Sequence, residues 1–140
     1  MEKQLKAVAE FHNSFGQENG KWPRNLSTEE FELRHALMQE ENDEYIDACD
    51  ENSLVDIADA LGDQLYILCG TILRHGMQHI IQDVFDEIQA SNMSKLGEDG
   101  KPVLRSDGKI LKGPGYFRPD LSKFIKVDTD ASSSIQESND

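Results

Sequence analysis

Apolar residues recur every three to four positions along most of the first 96 residues, and this spacing predicts four amphipathic helices. The predicted helices cover residues 3–15, 28–49, 54–75 and 77–96. Ser27, followed three residues later by Glu30, predicts a capping box at the start of the second helix. Ser53 has the same place before the third helix, and Gly76 ends that helix because glycine readily adopts the left-handed backbone found at helix C-termini.

The third helix is the most apolar of the four, because residues 66–73 are almost all apolar or small. A helix with such a run is expected to be buried on most sides, here at a subunit interface. A chain of 140 residues that folds as a helical hairpin buries only a small core by itself. We therefore predict an all-α fold, a bundle of about four helices completed by formation of a homodimer or a tetramer.

The pattern changes after Gly97, where glycine, proline and lysine become frequent. Asp107 and Gly108 separate two short apolar segments within residues 103–111, which predicts a short hairpin or ordered loop as a C-terminal extension. Residues 127–140 are rich in serine and aspartate and nearly free of apolar side chains, as is typical of a disordered acidic tail. The predicted domain is therefore residues 1–126.

The formal net charge of −13 is unevenly distributed along the chain. Residues 26–94 contain 16 acidic and 2 basic residues, whereas residues 95–126 contain 8 basic and 4 acidic ones. Such a negative protein is repelled by polyanions, so we expect no nucleic acid polymer and no membrane among its partners. The polar N-terminus lacks the features of a secretory signal, and the two cysteines read as reduced thiols, which favours a cytoplasmic protein.

Two glutamates on the second helix lie in line with its apolar stripe. Glu41 and Glu44 share one helical face with Leu37 and Ala48, which mark that face as buried. An unpaired carboxylate on a buried face carries a large desolvation cost. Both glutamates therefore require a partner.

The third helix repeats this arrangement with aspartates. Asp56, Asp59 and Asp63 are spaced by three and four residues, and Asp63 stands among apolar residues, so we expect it to be shielded from water. Arg34 and Arg74 are the only arginines or lysines in residues 26–94 that could pair with these acids. One bound cation would compensate several carboxylates at once.

A cage of carboxylates without clustered histidine or cysteine favours Mg²⁺ or Mn²⁺ over zinc. Two neighbouring helices would supply such a cage, and the bound ion would neutralise and orient a triphosphate. The alternative is that both acidic runs are solvated helix faces, as acidic runs usually are. The occurrence of acids beside the apolar stripe on two consecutive helices makes the metal site as well supported as the solvated faces, and both interpretations stay open at this point.

These residues resemble the motif of the all-α nucleoside triphosphate pyrophosphohydrolases, the superfamily of MazG and phosphoribosyl-ATP pyrophosphohydrolase. That motif is Glu-Glu-x-x-Glu followed by Glu-x-x-Asp, and Glu40, Glu41 and Glu44 match its first half. Asp63 matches the last position of the second half, while the family glutamate falls at Ala60. Asp59, Asp56 or water would then replace that glutamate. The resemblance extends through residues 91–95 and 109–121 and covers most of residues 5–125.

The resemblance implies a set of carboxylate ligands for Mg²⁺, with Mn²⁺ as an alternative: Glu40, Glu41, Glu44, Asp59 and Asp63. It implies two catalytic residues, Glu41 and Glu40, of which Glu40 would ligate a second ion or help activate the water that attacks the α-phosphorus. Asn92 and Lys95 would contact phosphate oxygens of the nucleotide substrate. For Lys95 the alternative is a solvated cation at a helix C-terminus.

The implied activity is Mg²⁺-dependent hydrolysis of an NTP or dNTP to a monophosphate and pyrophosphate. One alternative substrate is phosphoribosyl-ATP, as used in histidine synthesis, because this superfamily changes its nucleotide through pocket details that the motif does not encode. The alternative from another class is a non-catalytic helical dimer that binds metal or nucleotide, which Ala60 keeps open. His12 and Phe15 are assigned to the core rather than to a base pocket.

Overall fold

The computed structural model describes residues 1–125 of the chain. These residues form four helices, two short strands and one 3-10 helix: α1 (Glu2–Ser14), α2 (Thr28–Asp50), α3 (Leu54–Arg74), α4 (Ile81–Met93), β1 (Val103–Leu104), β2 (Ile110–Leu111) and the 3-10 helix Ser122–Phe124. The predicted all-α class is confirmed, since the only sheet in this part of the chain is a two-stranded ribbon. The predicted acidic tail, residues 127–140, lies outside the described residues.

The described residues form two compact units, residues 1–79 and residues 80–125. In the first unit α3 packs against both α1 and α2. In the second unit α4 is followed by the antiparallel β1–β2 hairpin, in which Val103 pairs with Leu111 and Leu104 with Ile110. The predicted hairpin is therefore present. Within the same unit, the hydroxyl of Ser91 on α4 donates a 2.8 Å hydrogen bond to the carbonyl of Phe117.

Both predicted helix caps form. The amide of Glu30 donates to the Ser27 hydroxyl at 3.3 Å, and the Ser27 amide donates to the Glu30 carboxylate at 3.4 Å, which completes the capping box. The amide of Asp56 donates to the Ser53 hydroxyl at 3.3 Å. Each cap satisfies an amide that the first helical turn leaves without an intrahelical acceptor.

The fourth helix begins later than predicted, because the residues after Gly76 are used to end α3. Gly76 has a φ of 70°, and its amide bonds to the carbonyl of Leu73 while the amide of Met77 bonds to that of Ile72. This is a Schellman motif, in which the two residues after the helix satisfy its last carbonyls. Met77 therefore belongs to the end of α3, and α4 begins at Ile81, four residues later than predicted.

The core of the first unit lies where α3 meets the other two helices. Its most buried side chains are small or apolar: Leu5, Val8, Ala48, Ala60, Cys69, Ile72 and Leu73. His12 is 3% exposed and lies in the core as predicted, whereas Phe15 is exposed, so the core assignment of Phe15 is wrong. Phe15 is the C-cap residue of α1 and is 68% exposed.

The prediction that residues 66–73 are buried on most sides holds only for part of that run within one chain. Cys69, Ile72 and Leu73 are buried, but Tyr66 and Leu68 remain 41% and 45% exposed. Only α1 and α2 pack on α3 within its unit, so the remaining face of the helix is uncovered. In the described residues, none of the helices has the length and apolar character needed to span a membrane.

Candidate active site

The acidic residues singled out by the motif lie on two helices that pack against each other. Glu40, Glu41 and Glu44 are on α2, and Asp63 is on α3. Glu41 is close enough to Glu44 and Asp63 for the negative charges of both to raise its pKa. The packing of α2 on α3 therefore brings Glu41, from the first half of the motif, near Asp63, from the second half.

Glu41 is the acid at the centre of this cluster. Its Oε2 atom is buried and has no hydrogen-bond partner. Burial raises the pKa of Glu41 above its ordinary value, and the negative charges of Glu44, Asp63 and Glu40 raise this pKa further. An anionic oxygen that is cut off from water and surrounded by other acids is destabilised unless a proton or a cation compensates it.

The other acids are more accessible than the sequence suggested. Glu40, Glu44 and Asp63 are all exposed, so the prediction that Asp63 is shielded from water is wrong. Its apolar neighbours in sequence point to other faces of α3 and leave the carboxylate itself in solvent. Asp59 is also exposed and is not among the groups that raise the pKa of Glu41. The predicted role of Asp59 as a ligand stays a prediction.

Neither nearby arginine pairs with the acidic cluster. Arg74 forms an ion pair with Glu30 at the start of α2. Arg34 donates to Thr71 Oγ1 at 3.0 Å and to the carbonyl of Ile67 at 2.8 Å. Within residues 1–125, no lysine or arginine lies within salt-bridge distance of a carboxylate of the cluster. The cluster thus lacks a compensating cation from the described part of the protein.

The residues predicted to contact phosphate lie in the second unit. Asn92 is near the end of α4 and Lys95 follows that helix, where the Lys95 ammonium donates a 2.9 Å hydrogen bond to the Asn92 side-chain oxygen. This hydrogen bond places the side chains of Asn92 and Lys95 next to each other. Their contact with a phosphate stays a prediction.

One residue beside the cluster was not anticipated from the sequence. Gln64, next to Asp63, donates from Nε2 to the backbone carbonyl of Glu41 at 3.4 Å and to the side chain of Asn42 at 3.5 Å. It therefore links the two motif segments across the helix pair. Only its position beside the motif aspartate could have indicated this, because the periodicity of α3 does not show which α2 residue it meets.

A cleft of about 340 Å³ also lies between α2 and α3. It is lined by amide, imidazole and apolar side chains: His35, Met38, Gln39, Asn42, Gln64 and Leu68. On α2 the lining positions lie on the face opposite to Glu40 and Glu44, whereas on α3 Gln64 directly follows Asp63. The cleft contains no carboxylate, lysine or arginine and is therefore distinct from the acidic cluster.

The donor set of the cluster suits a hard divalent cation. All candidate ligands are carboxylate oxygens, which Mg²⁺ and Mn²⁺ prefer, and the unpartnered Oε2 of Glu41 is an atom that a cation would satisfy. In the described residues no three acidic, histidine or cysteine side chains stand close enough to hold an ion as they are placed. Closing a site around Glu41 needs new rotamers at Glu44 and Asp63, which are exposed and hence free to rotate.

Comparison with known proteins agrees with the motif. The family model described as phosphoribosyl-ATP pyrophosphohydrolase matches residues 8–92, which is more than half of the chain. No curated protein matches significantly. Among 24 matching chains of solved structures is one from Exiguobacterium sp. 255-15, provisionally described as an NTP pyrophosphohydrolase. It is 23% identical, with a TM-score of 0.42, over 83% of this chain and 88% of the other. On the family match, which spans both helices of the acidic motif, the chain belongs to the phosphoribosyl-ATP pyrophosphohydrolase family.

Proposed function

We propose that the protein is a divalent-metal-dependent pyrophosphohydrolase that cleaves a nucleoside triphosphate between the α- and β-phosphorus atoms. The observation that carries this proposal is the buried, unpartnered Oε2 of Glu41 within a cluster of acids that has no protein cation. A solvated acidic face would leave no carboxylate oxygen in this position. Membership of a pyrophosphohydrolase family supports the same class of reaction.

Glu41, Glu44 and Asp63 would hold Mg²⁺, and Mn²⁺ would serve in its place. When bound, the ion would offset the negative charge of the triphosphate and of the acids. Glu40 adds its charge to the same cluster while remaining exposed, and it would accept a proton from an attacking water or hold a second ion. Asp59 would take the fourth ligand position only if its side chain turned toward the cluster.

The nucleotide accepted by the site is the finer part of the proposal. NTPs and dNTPs are the first candidates, with Asn92 and Lys95 as phosphate contacts. The family model, which bears the name of phosphoribosyl-ATP pyrophosphohydrolase, favours phosphoribosyl-ATP as a second candidate.

A non-catalytic binding function is favoured by one further observation. The position of the family glutamate is occupied by Ala60, which is 2% exposed, so no side chain in this place can reach a metal. If water does not replace that ligand, the cluster would bind Mg²⁺ or a nucleotide without turnover.

We also propose that two chains associate through the uncovered apolar side of α2 and α3. This side presents large hydrophobic residues to solvent: Phe31, Ile46, Leu61, Leu65 and Leu68. A monomer rarely exposes so many apolar side chains on one pair of helices, and a second copy would bury them. Association of two such dimers would give the tetramer.

Product analysis tests the proposed reaction. The protein is incubated with Mg²⁺ or Mn²⁺ and a panel of NTPs, dNTPs and phosphoribosyl-ATP, and the nucleotide and phosphate products are separated. We expect a monophosphate and pyrophosphate from the wild type and at least a hundredfold lower rate from Glu41→Gln. Glu32→Gln, an equal change of charge at an exposed position of the same helix, is the control and should retain the rate. Diphosphate with phosphate, or no turnover with either metal, would contradict the proposal.

A further inference from the structure

Arg34 is a buried cation without an acidic partner. The residue is 9% exposed, and within the described residues it forms no salt bridge. Burial lowers the pKa of Arg34, and the nearby charge of Arg74 lowers it further. Burying an uncompensated guanidinium is costly, and an apolar side chain of similar volume would fill the same space at lower cost. Its presence is therefore not explained by packing alone.

The guanidinium of Arg34 joins α2 to one particular turn of α3. Its Nε donates to Thr71 Oγ1 at 3.0 Å, and its Nη2 donates to the carbonyl of Ile67 at 2.8 Å. The Thr71 hydroxyl also donates to the Ile67 carbonyl at 2.9 Å, so the three groups form a closed triangle. A planar guanidinium with two acceptors in fixed directions defines how far α2 can slide or rotate against α3.

This contact lies on the same stripe as the acidic cluster. Arg34 and Glu41 are seven residues apart on α2, so they share one face and are separated by about 10 Å along the helix axis. Arg34 contacts α3 at one end of the stretch 34–41, and at its other end Gln64 of α3 donates to the backbone carbonyl of Glu41. The partner Ile67 is one turn beyond Asp63 on α3. Arg34 therefore holds the helix pair one or two turns from the point where Glu41 meets Asp63.

Gly70 leaves the space that this arrangement needs. A Cβ atom at this position would lie 2.6 Å from Arg34 Nη2 and 3.1 Å from His12 Nε2. His12 cannot simply turn away, because its Nδ1 is 2.6 Å from Asn19 Oδ1. By contrast, a Cβ atom at Gly62, in the same helix, would meet nothing within 4 Å. The space beside Gly70 is thus filled by Arg34 and His12, whereas the space beside Gly62 is open.

We propose that Arg34 is a positioning residue, which through Ile67 and Thr71 sets the register of α2 on α3 and so places Glu41 opposite Asp63. The proposal rests on the function proposed above, since the register is important for a cation shared by the two helices. Replacement of residues that hydrogen-bond directly to metal ligands changes metal affinity by about 10–100-fold, and for Arg34, which acts through the backbone of both helices, we expect an effect at the lower end of that range. A side chain that only fills space would affect the stability of the fold and leave the affinity for Mg²⁺ unchanged.

The test measures Mg²⁺ affinity in the absence of nucleotide, from the rise of Tm with Mg²⁺ concentration. The variants are Arg34→Met, Arg34→Lys and Gly70→Ala, with Gly62→Ala as the matched control in α3. We expect the Kd for Mg²⁺ to rise at least tenfold in Arg34→Met and Gly70→Ala, less in Arg34→Lys, and less than threefold in Gly62→Ala. Gly70→Ala and Arg34→Lys keep the test decisive if Arg34→Met does not fold.

Two outcomes would overturn the inference, and only the first would also refute the proposed metal site. A wild-type protein whose Tm does not respond to Mg²⁺ would refute the proposed metal site, and there would be nothing for Arg34 to position. A wild-type response that is retained with an unchanged Kd in folded Arg34→Met and Gly70→Ala would refute the positioning role alone.

Discussion

Replacement of Glu41 by glutamine should change the stability of the protein in opposite directions with and without metal. In the metal-free protein the buried Oε2 has no partner and lies among acids that raise the pKa of this carboxyl group. Glu41→Gln removes the charge with little change of shape. An unpaired buried group costs about 1–3 kcal/mol, and more if it is charged, so loss of the charge should stabilise the fold by on the order of 1 kcal/mol.

Mg²⁺ should reverse this order. A ligand at 100 times its Kd stabilises the folded state by about 2.7 kcal/mol. If Glu41→Gln no longer binds the ion, the wild type becomes the more stable protein by about 1.7 kcal/mol, the difference between that gain and the roughly 1 kcal/mol above. For a domain of this size 1 kcal/mol corresponds to roughly 4 °C in Tm. Glu41→Gln should therefore melt about 4 °C above the wild type without metal and about 7 °C below it with saturating Mg²⁺.

Differential scanning fluorimetry with EDTA or a Mg²⁺ series measures both effects in one experiment. Glu32→Gln is the control, because it removes the same charge from an exposed position of α2 and should follow the wild type under both conditions. The reasoning is refuted if Glu41→Gln is the less stable protein in EDTA and Mg²⁺ raises the Tm of both proteins equally. That result would mean that Glu41 makes a stabilising contact and that the ion binds elsewhere.

Four further predictions follow from individual contacts. Because its pKa is raised in the folded state, Glu41 binds its proton more tightly there than in the unfolded chain. The free energy of unfolding of the metal-free protein, measured by urea denaturation, should therefore increase as the pH falls through the raised pKa toward the ordinary value of 4.5. Glu41→Gln should lack this part of the pH dependence. Ser27→Ala removes the cap of α2 and should cost about 1 kcal/mol in urea unfolding, whereas an unchanged midpoint would show that the cap is dispensable. Gly76→Ala places a Cβ atom against the Trp22 carbonyl at a φ of 70° and should destabilise the protein by about 2 kcal/mol or more in the same assay. Leu65→Glu on the uncovered side of α3 should convert a dimer to a monomer in sedimentation, and a wild type that sediments as a monomer would refute the proposed interface.

The parts of the fold that depend on neighbouring residues could be predicted from the sequence. The caps at Ser27 and Ser53 depend only on the residues three positions further along the chain, and both are present. The start of α4 could not be predicted in the same way, because the amide of Met77 is used by the carbonyl of Ile72 at the end of α3. Periodicity shows that apolar residues continue and does not show which helix uses the backbone between them.

The same distinction between local sequence and contacts with distant residues applies to the candidate site. The position of Glu41 on a buried stripe is local, and its buried oxygen agrees with that prediction. The exposure of Asp63 depends on which face of α3 is covered, and apolar neighbours in sequence do not give this information. The partners of Arg34 and Gln64 could not be predicted either, since Ile67 and Glu41 are 33 and 23 positions away from them in the sequence.

The position of the attacked phosphorus is the most direct test of the central claim. The protein is given Mg²⁺ and the preferred triphosphate in H₂¹⁸O, and ³¹P NMR or mass spectrometry locates the ¹⁸O among the products. We predict that the label enters the nucleoside monophosphate and is absent from the pyrophosphate, because the water attacks the α-phosphorus. Label in pyrophosphate or in free phosphate would contradict the account, because water would then have attacked another phosphorus atom.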